Sequence, residues 1–263
     1  MTESPNPTDE LLEVLENHHL TESINVVSLH APTFSKALKA GQFLEIKVSD
    51  SLTPLLRRPF SIHSISGETI EIMSKRVGIG TDLIYRCKKG DRLQTLAPLG
   101  NTFGYDKNDF DTAVLISGGI GVAPMALLEE TLLKLGKKVV NIIGARNASE
   151  IIEKGLSNIS VATDDGSKGF KGNSVQLFSS MLPKFDGEKL RVFSCGPNPM
   201  LSALSNLCNE NSIPCEVSIE STMGCGIGIC YGCPIRIKSG GGFTYKLLCQ
   251  YGSVIDSREI LFD

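Results

Sequence analysis

Four cysteines near the end of the chain constrain this sequence more than any other feature. The four are Cys225, Cys230, Cys233 and Cys249. They follow a C-x4-C-x2-C-x15-C pattern, which is the thiolate spacing of a plant-type 2Fe-2S cluster. Gly226 and Gly228 allow the chain between the first two cysteines to fold tightly, so that consecutive N–H groups can point towards sulfur. The sequence SGGG at 239–242 predicts a hairpin turn, after which a strand over 245–248 would deliver the last cysteine to the second iron.

Two other uses of four cysteines have to be weighed against the cluster. A structural zinc site stays an alternative, although zinc ribbons usually have two C-x2-C pairs and this chain has one. A disulfide framework is less favoured, because the start MTESPNPTDE is polar and acidic, without the apolar core of a secretory signal. We therefore expect a reducing, cytoplasmic compartment.

Composition excludes several classes of protein. With 263 residues and 41% hydrophobic content the chain can bury two compact domains and a small appendage. The net charge is −3 and no basic tract is present, so we expect no nucleic-acid partner. No apolar run approaches membrane-spanning length, so we expect no membrane association.

The first hundred residues have the pattern of an all-β domain. Six short β-branched or alternating runs are separated by Pro, Gly, Ser and Asp clusters, at 11–14, 24–29, 43–48, 60–65, 69–74 and 92–97. So many short strands in so few residues favour a closed antiparallel barrel, which leaves no exposed sheet edge.

Two polar stretches interrupt this predicted barrel. In RRPFS at 57–61, Arg58 can offer a bidentate fork to a phosphate and Ser61 a hydroxyl. In RVGIGT at 76–81, two glycines permit close backbone approach, and a short helix over 81–86 would present its N-terminus to an anion. Either stretch alone is typical of an ordinary turn. Together they predict a diphosphate-bearing cofactor.

After residue 105 the pattern changes to alternating strands and helices. We predict strands at 112–116, 138–144, 159–162, 190–194 and 215–219, and helices at 123–135, 175–182 and 199–208. Such alternation indicates a doubly wound parallel α/β domain. The predicted fold class is therefore a multidomain α+β protein. Its three parts are an antiparallel β-barrel at 1–105, a doubly wound domain at 106–219 and a small iron-sulfur subdomain at 220–263.

Two loops follow strands of the predicted α/β domain. The sequence SGGIGVAP at 117–124 is a glycine turn that leads into the helix predicted at 123–135, although it does not match the GxGxxG motif. The sequence SCGPNPM at 194–200 leads into the helix predicted at 199–208. Loops at the carboxyl ends of parallel strands line the ligand crevice of an open sheet. A glycine turn before a helix is also common for structural reasons alone.

These motifs carry a resemblance to a known superfamily. RRPFS, GIGT, GGIGVAP and CGPNPM, in this order, resemble the ferredoxin-NADP reductase superfamily, in which a barrel binds flavin and an α/β domain binds the nicotinamide nucleotide. With the terminal cysteine pattern added, nearly the whole chain resembles the electron-transfer subunits of B-type dihydroorotate dehydrogenase.

The resemblance implies three sets of site residues. Those of FAD are Arg58, Pro59, Phe60, Ser61, Met73, Ser74, Lys75, Gly80 and Thr81. Those of NAD(H) are Gly118, Gly119, Gly121, Pro124, Cys195, Gly196, Pro197 and Met200, and the resemblance implies that Cys195 and Gly196 lie near the nicotinamide. The 2Fe-2S ligands are the four cysteines named above. Arg146 and Asn147 follow the second strand of the α/β domain but do not by themselves decide between NADH and NADPH; the resemblance favours NADH.

The resemblance also implies a function and a partner. Electrons would pass between NAD(H), one FAD and one 2Fe-2S cluster per chain, and dihydroorotate would be oxidised on a separate FMN-containing dihydroorotate dehydrogenase catalytic subunit, in a heterotetramer with two of each subunit, during pyrimidine biosynthesis. No catalytic residue for that oxidation is evident in this chain.

Three alternatives to this function stay open. One is the reductase subunit of a hydrogenase or of a ferredoxin-dependent transhydrogenase, another is a self-contained reductase for a diffusible ferredoxin or dye, and the third is a non-catalytic zinc-binding protein. Four further residues are expected to be structural, namely Cys87, Cys208, Cys215 and His63. The sequence TDDG at 163–166 is expected to form a turn.

Overall fold

The structure is a computed structural model that describes residues 6–262. The chain divides into two compact units. One contains the residues up to Thr102 together with Glu220–Ile235 and Tyr245–Ser253, and the other contains Phe103–Ile219, Arg236–Thr244 and the residues from Val254 onwards. The predicted division into three consecutive parts stays a prediction. Among residues 6–262, no helix combines the length and the apolar character needed to cross a membrane.

The first unit is built on a closed antiparallel barrel, as the sequence predicts. Its strands are β1 (Thr8–His19), β2 (Ile24–His30), β3 (Phe43–Lys47), β4 (Arg58–Ser66), β5 (Thr69–Lys75) and β6 (Arg92–Leu99), in the order β1-β2-β5-β4-β3-β6. A short helix α1 (Phe34–Ala37) follows β2, and α2 (Ile79–Arg86) follows β5. In β1, Leu12 and Val14 are buried and Glu13 between them is exposed, because successive side chains of a strand point to opposite faces.

The second unit contains the alternating strands and helices. They are β7 (Thr112–Gly118), α3 (Met125–Lys134), β8 (Lys138–Ala145), β9 (Ile159–Thr163), β10 (Phe170–Lys171), α4 (Ser174–Met181), β11 (Leu190–Cys195), α5 (Asn198–Glu210) and β12 (Cys215–Ser218). Single 3-10 turns lie at Gly119–Val122, Ala148–Glu150 and Leu182–Phe185. The strands from β7 to β12 pair in parallel, which confirms the predicted doubly wound arrangement.

The C-terminal residues add a small sheet and an edge strand. Their elements are β13 (Pro234–Ser239), β14 (Gly242–Leu247), α6 (Leu248–Tyr251), β15 (Val254–Asp256) and β16 (Ile260–Leu261). β14, β13 and β16 form a three-stranded sheet, and β15 pairs antiparallel with β12, giving the large sheet the order β10-β9-β8-β7-β11-β12-β15. The predicted hairpin turn is present, but Cys249 lies in the one-turn helix α6 rather than at the end of a strand.

Phenylalanine rings and charged side chains hold the segment at the start of the second unit against its sheet. Phe103 and Phe110 pack edge-on against Phe193 of β11, with ring centroids 5.6 and 5.8 Å apart from it. The buried Glu216 carboxylate accepts hydrogen bonds from Lys107 of this segment at 2.8 Å and from the buried Arg191 guanidinium at 3.1 Å. A buried pair of this kind satisfies both charges, and the loss of either partner would leave the other uncompensated.

Candidate cofactor and metal sites

The four cysteines of the C-terminal motif form two pairs. The sulfur atoms of Cys233 and Cys249 are 3.3 Å apart, and the backbone N–H of Cys230 donates to the sulfur of Cys225 at 3.4 Å. Two pairs fit a cluster with two irons, whereas a single zinc ion requires four ligands converging on one point. Within residues 6–262, no three His, Cys, Asp or Glu side chains gather around one metal position.

The loop between the first two cysteines offers hydrogen-bond donors to sulfur. Burial opposes a charge on Cys225, but the backbone N–H groups of Cys230, Ile227 and Ile229 stabilise the thiolate and lower the pKa of this thiol to about 7. Burial and the neighbouring Cys233 raise the pKa of the Cys249 thiol to about 12. Thiolates bind iron, so cluster assembly would release protons from this site, chiefly from its buried side. The donor set fits an anionic iron-sulfur cluster.

The cluster loop packs directly on the barrel of its own unit. Gly226 has φ +70°, and a β-carbon at this position would lie 2.9 Å from the side chains of both Glu45 and Leu99. A β-carbon at Gly224 would lie 3.5 Å from Leu56, which comes two residues before Arg58. Only glycine combines this backbone conformation with so close an approach. The loop is therefore held next to the start of β4, where the flavin residues are predicted.

A buried carboxyl, which no sequence motif predicts, lies behind the cluster loop. Glu45 of β3 is completely buried, and neither of its carboxyl oxygens has a hydrogen-bond partner. Burial raises the pKa of this carboxyl to about 7, against the opposing field of Arg57 and with a smaller contribution from Cys225. The only signal in the sequence is one acidic residue in the otherwise apolar run FLEI.

The residues predicted for FAD come together at one end of the barrel. β4 and β5 are antiparallel with Ile62 opposite Ile72, so the start of β4 and the end of β5 lie side by side. This places Arg58, Pro59, Phe60 and Ser61 at the same barrel end as Met73, Ser74 and Lys75, and α2, with Gly80 and Thr81, follows directly.

The details of this barrel end fit a flavin with a diphosphate. A β-carbon on Gly80 would lie 2.7 Å from Nε of Arg58, so the guanidinium lies against the first turn of α2. The Thr81 hydroxyl accepts hydrogen bonds from the backbone N–H groups of Val77 and Gly78 at 2.8 and 3.1 Å, which fixes the turn. The buried Ser74 hydroxyl has no partner. A helix N-terminus beside an arginine attracts phosphate, and the free hydroxyl could serve the flavin.

The two loops predicted for NAD(H) pack against each other in the second unit. A β-carbon at Gly121 would lie 2.1 Å from the carbonyl oxygen of Cys195, so only glycine fits there. A β-carbon at Gly118 would lie 2.7 Å from the sulfur of Met200, and one at Gly196 would lie 3.1 Å from the backbone nitrogen of Gly118. β7 and β11 are neighbours, with Cys195 opposite Ser117.

The remaining predicted NAD(H) residues flank these contacts. Gly119 has φ +56° within the turn, Pro124 is the N-cap of α3, and Pro197 is the N-cap of α5. Two helix N-termini and a glycine turn thus face the carboxyl edge of the sheet, an arrangement suited to a pyrophosphate. The FAD and NAD(H) assignments of individual residues stay predictions.

The residues that were expected to be structural have structural surroundings. Cys208 of α5 and Cys215 of β12 are buried, and Cys87 is half-buried beside Asn17, whose amide donates to its carbonyl at 2.8 Å. His63 is buried in the barrel. The sequence TDDG forms a turn after β9, closed by a hydrogen bond from the Gly166 N–H to the Thr163 carbonyl at 3.0 Å.

Comparisons with known proteins match this chain to one family. Residues 220–261 match the iron-sulfur cluster binding domain of dihydroorotate dehydrogenase B. The dihydroorotate dehydrogenase B (NAD(+)) electron transfer subunit of Bacillus pumilus is 36% identical over 258 residues, covering 95% of this chain and 96% of that protein. The subunit of the same name from Desulforamulus reducens is 32% identical over 259 residues, covering 95% and 97%.

Solved structures share the fold. The NADH-dependent reduced ferredoxin-NADP oxidoreductase superposes with a TM-score of 0.82 at 24% identity, covering 97% of this chain and 91% of that one. A ferredoxin NADP+ reductase from Neisseria gonorrhoeae, solved with bound FAD and NADP, gives a TM-score of 0.65 at 17% identity, covering 77% and 91%. These structures show the fold, and the identity of 32–36% to curated relatives over almost the full length shows that the chain belongs to the family of electron-transfer subunits of dihydroorotate dehydrogenase B.

Proposed function

We propose that this chain carries electrons between NAD(H), FAD and a 2Fe-2S cluster, and so couples the oxidation of dihydroorotate on a separate catalytic subunit to the reduction of NAD+ in pyrimidine biosynthesis. The flavin exchanges hydride with the nicotinamide and single electrons with the cluster. The observation that carries the proposal is the packing of the cluster loop on the barrel within one unit, so close that a β-carbon on Gly226 would lie 2.9 Å from the side chain of Glu45.

The residues of this unit would perform three tasks. Arg58 and the first turn of α2 would bind the flavin diphosphate, because a guanidinium and exposed helical N–H groups both stabilise phosphate. The N–H groups of the loop from Gly226 to Cys230 would hold the cluster and set its potential, which depends on hydrogen bonds to sulfur and on exposure. In the other unit, the glycine turn after β7 would bind the pyrophosphate of NAD(H).

The face around the cluster loop supports the presence of a partner protein. Ile229 and Tyr231 of the loop are 73% and 75% exposed, and Leu56, which lies beside Gly224 of the loop, is 50% exposed. Exposed apolar side chains in one region mark a protein interface. We propose that the catalytic FMN subunit docks on this face, so that electrons pass between the two subunits through the cluster, and that two copies of each subunit assemble.

The first experiment is anaerobic co-expression with a dihydroorotate dehydrogenase catalytic subunit, followed by absorption spectroscopy and metal analysis. We expect FAD and two irons per copy of this chain, bleaching of both chromophores by NADH, and co-purification of the partner. Flavin and iron without the partner would instead favour a hydrogenase or ferredoxin reductase subunit. Zinc without flavin would contradict the proposal entirely.

The docking face has its own test. Tyr231→Asp should prevent co-purification of the catalytic subunit while NADH-dependent dye reduction continues, because it places a charge in the apolar contact. Leu133→Asp is the control, since Leu133 is 51% exposed and lies in the other unit. Loss of the partner from both variants, or from neither, would contradict this interface. The free thiols that cluster assembly needs favour a reducing, cytoplasmic location.

A further inference from the structure

The strand order of the second unit indicates where the adenosine half of a dinucleotide would lie. β8 runs between β7 and β9, with Gly144 level with both Gly118 and Ala162. On its other side β7 adjoins β11, whose loop is the one predicted to face the nicotinamide. A dinucleotide with its pyrophosphate at the β7 turn would therefore extend its adenosine half over the end of β8. The chain that leaves β8 there begins with Arg146.

Arg146 is already engaged by a carboxylate. Its Nη2 donates to one oxygen of Glu150 at 2.5 Å and its Nε to the other at 3.2 Å. These are the two parallel hydrogen bonds that a guanidinium otherwise makes to a phosphate. The arginine that a 2′-phosphate would need is thus occupied within the protein.

Glu150 is held in place by its own backbone. It ends the 3-10 turn Ala148–Glu150, and its N–H donates to the Asn147 carbonyl at 3.2 Å. The N–H of Ala148 donates to the Ser167 hydroxyl at 2.8 Å, and that hydroxyl donates to Asp165 at 2.6 Å. These bonds join the turn after β8 to the turn after β9. The backbone that carries this carboxylate therefore belongs to a pair of turns joined by hydrogen bonds.

The charges around Arg146 are predominantly negative. Asp164 and Asp165 follow β9 directly, and the N–H of Asp165 donates to the carbonyl of Arg146 at 3.2 Å. The carboxylates of Glu150 and Asp164 both interact electrostatically with this guanidinium. A 2′-phosphate brings a charge of about −1.5 to −2 and would be repelled here. A ribose 2′-hydroxyl is neutral and can donate to a carboxylate.

We propose that Glu150 makes this site select NADH over NADPH, because it occupies the guanidinium of Arg146 and adds to the negative charge beside the ribose. The inference rests on the proposed function, in which NAD(H) binds at this edge of the sheet. It also assigns the preference for NADH to Glu150, because a free guanidinium at Arg146 would by itself favour NADPH. The Glu150 carboxylate thus gives specificity by disfavouring the binding of NADPH, the competing nucleotide.

The test compares three variants of the full chain loaded with FAD and cluster. Glu150→Gln keeps the shape of the side chain and removes its charge. Glu153→Gln is the matched control, because Glu153 lies three residues further on and pairs with Lys168 at 2.7 Å instead. The third variant combines Glu150→Gln with Arg146→Ala. For each, kcat/KM is measured for NADPH and for NADH with a dye as electron acceptor.

We expect Glu150→Gln to raise the ratio of kcat/KM for NADPH to that for NADH by about tenfold or more, because a freed guanidinium can pair with the 2′-phosphate. Glu153→Gln should keep the ratio of the original protein, and the double variant should lose the gain. An unchanged ratio in Glu150→Gln with normal FAD content, an equal gain in Glu153→Gln, or a gain that survives the loss of Arg146 would each overturn the inference. Failure of NADH to reduce the flavin of the original protein would overturn the proposed function itself, and this inference with it.

Discussion

Replacing Glu45 by Gln tests the consequence of burying a carboxyl behind the cluster loop. The carboxyl is fully buried and its two oxygens have no hydrogen-bond partner. Burial raises its pKa from 4.5 to about 7. Since the folded state holds this proton more tightly than the unfolded state, the stabilisation from the protonated form is fully present below pH 4.5. It is lost as the pH rises through about 7.

The size of the effect follows from the pKa shift. One pKa unit corresponds to about 1.4 kcal/mol. Ionisation of Glu45 should therefore lower the free energy of unfolding by about 3 kcal/mol as the pH rises from acidic to mildly alkaline values. Glu45→Gln keeps the shape and a buried polar group but does not ionise. The variant should therefore match the original protein near pH 4.5 and be more stable than it at pH 8.

Urea unfolding at pH 5 and pH 8, followed by circular dichroism and by flavin fluorescence, measures this difference. Glu13→Gln is the control, because Glu13 is an exposed carboxylate on strand β1 of the same barrel. We expect the control to show the pH dependence of the original protein and Glu45→Gln to show a flatter one. Equal pH dependence in Glu45→Gln and the original protein would refute the argument from burial.

Three further predictions concern the sites themselves. Arg58→Ala should weaken FAD binding by about ten- to a hundredfold, because it removes a charge-assisted contact worth about 1.5–3 kcal/mol; full FAD content after extensive dilution would contradict the assignment. Cys230→Ser should keep NADH-to-dye activity but stop electron delivery to the catalytic subunit, whereas Cys87→Ser should keep both, and delivery by a cluster-free Cys230→Ser protein would refute the route. Gly121→Ala should raise the KM for NADH or unfold the loop, because its β-carbon would lie 2.1 Å from a carbonyl oxygen. Gly242→Ala, with its nearest contact at 3.9 Å, should have no such effect.

The elements of this fold were predictable where the pattern is local. All six barrel strands and the alternating elements of the second unit form at the predicted positions, with ends that differ by a few residues, because strand and helix periodicity arise from neighbouring residues. The cysteine spacing and the glycine turns likewise predict their sites, since both depend on a few adjacent residues.

Features that depend on distant parts of the chain were not predictable. Nothing in the sequence indicates that the run after the hairpin ends in the helix α6, or that β15 joins the large sheet antiparallel to β12. Both follow from how the C-terminal residues pack on elements far away in the chain.

The sequence by itself determined the cofactor chemistry, because thiolate spacing and glycine turns are properties of short segments. Only the tertiary structure determined which charged side chains lie next to those segments. It buried Glu45 behind the cluster loop, 181 residues before Gly226 in the chain, and it brought Asp164 near Arg146 by placing the turn after β9 beside the turn after β8. The energy of a carboxylate depends on its burial and on its neighbours, and both are properties of the folded chain.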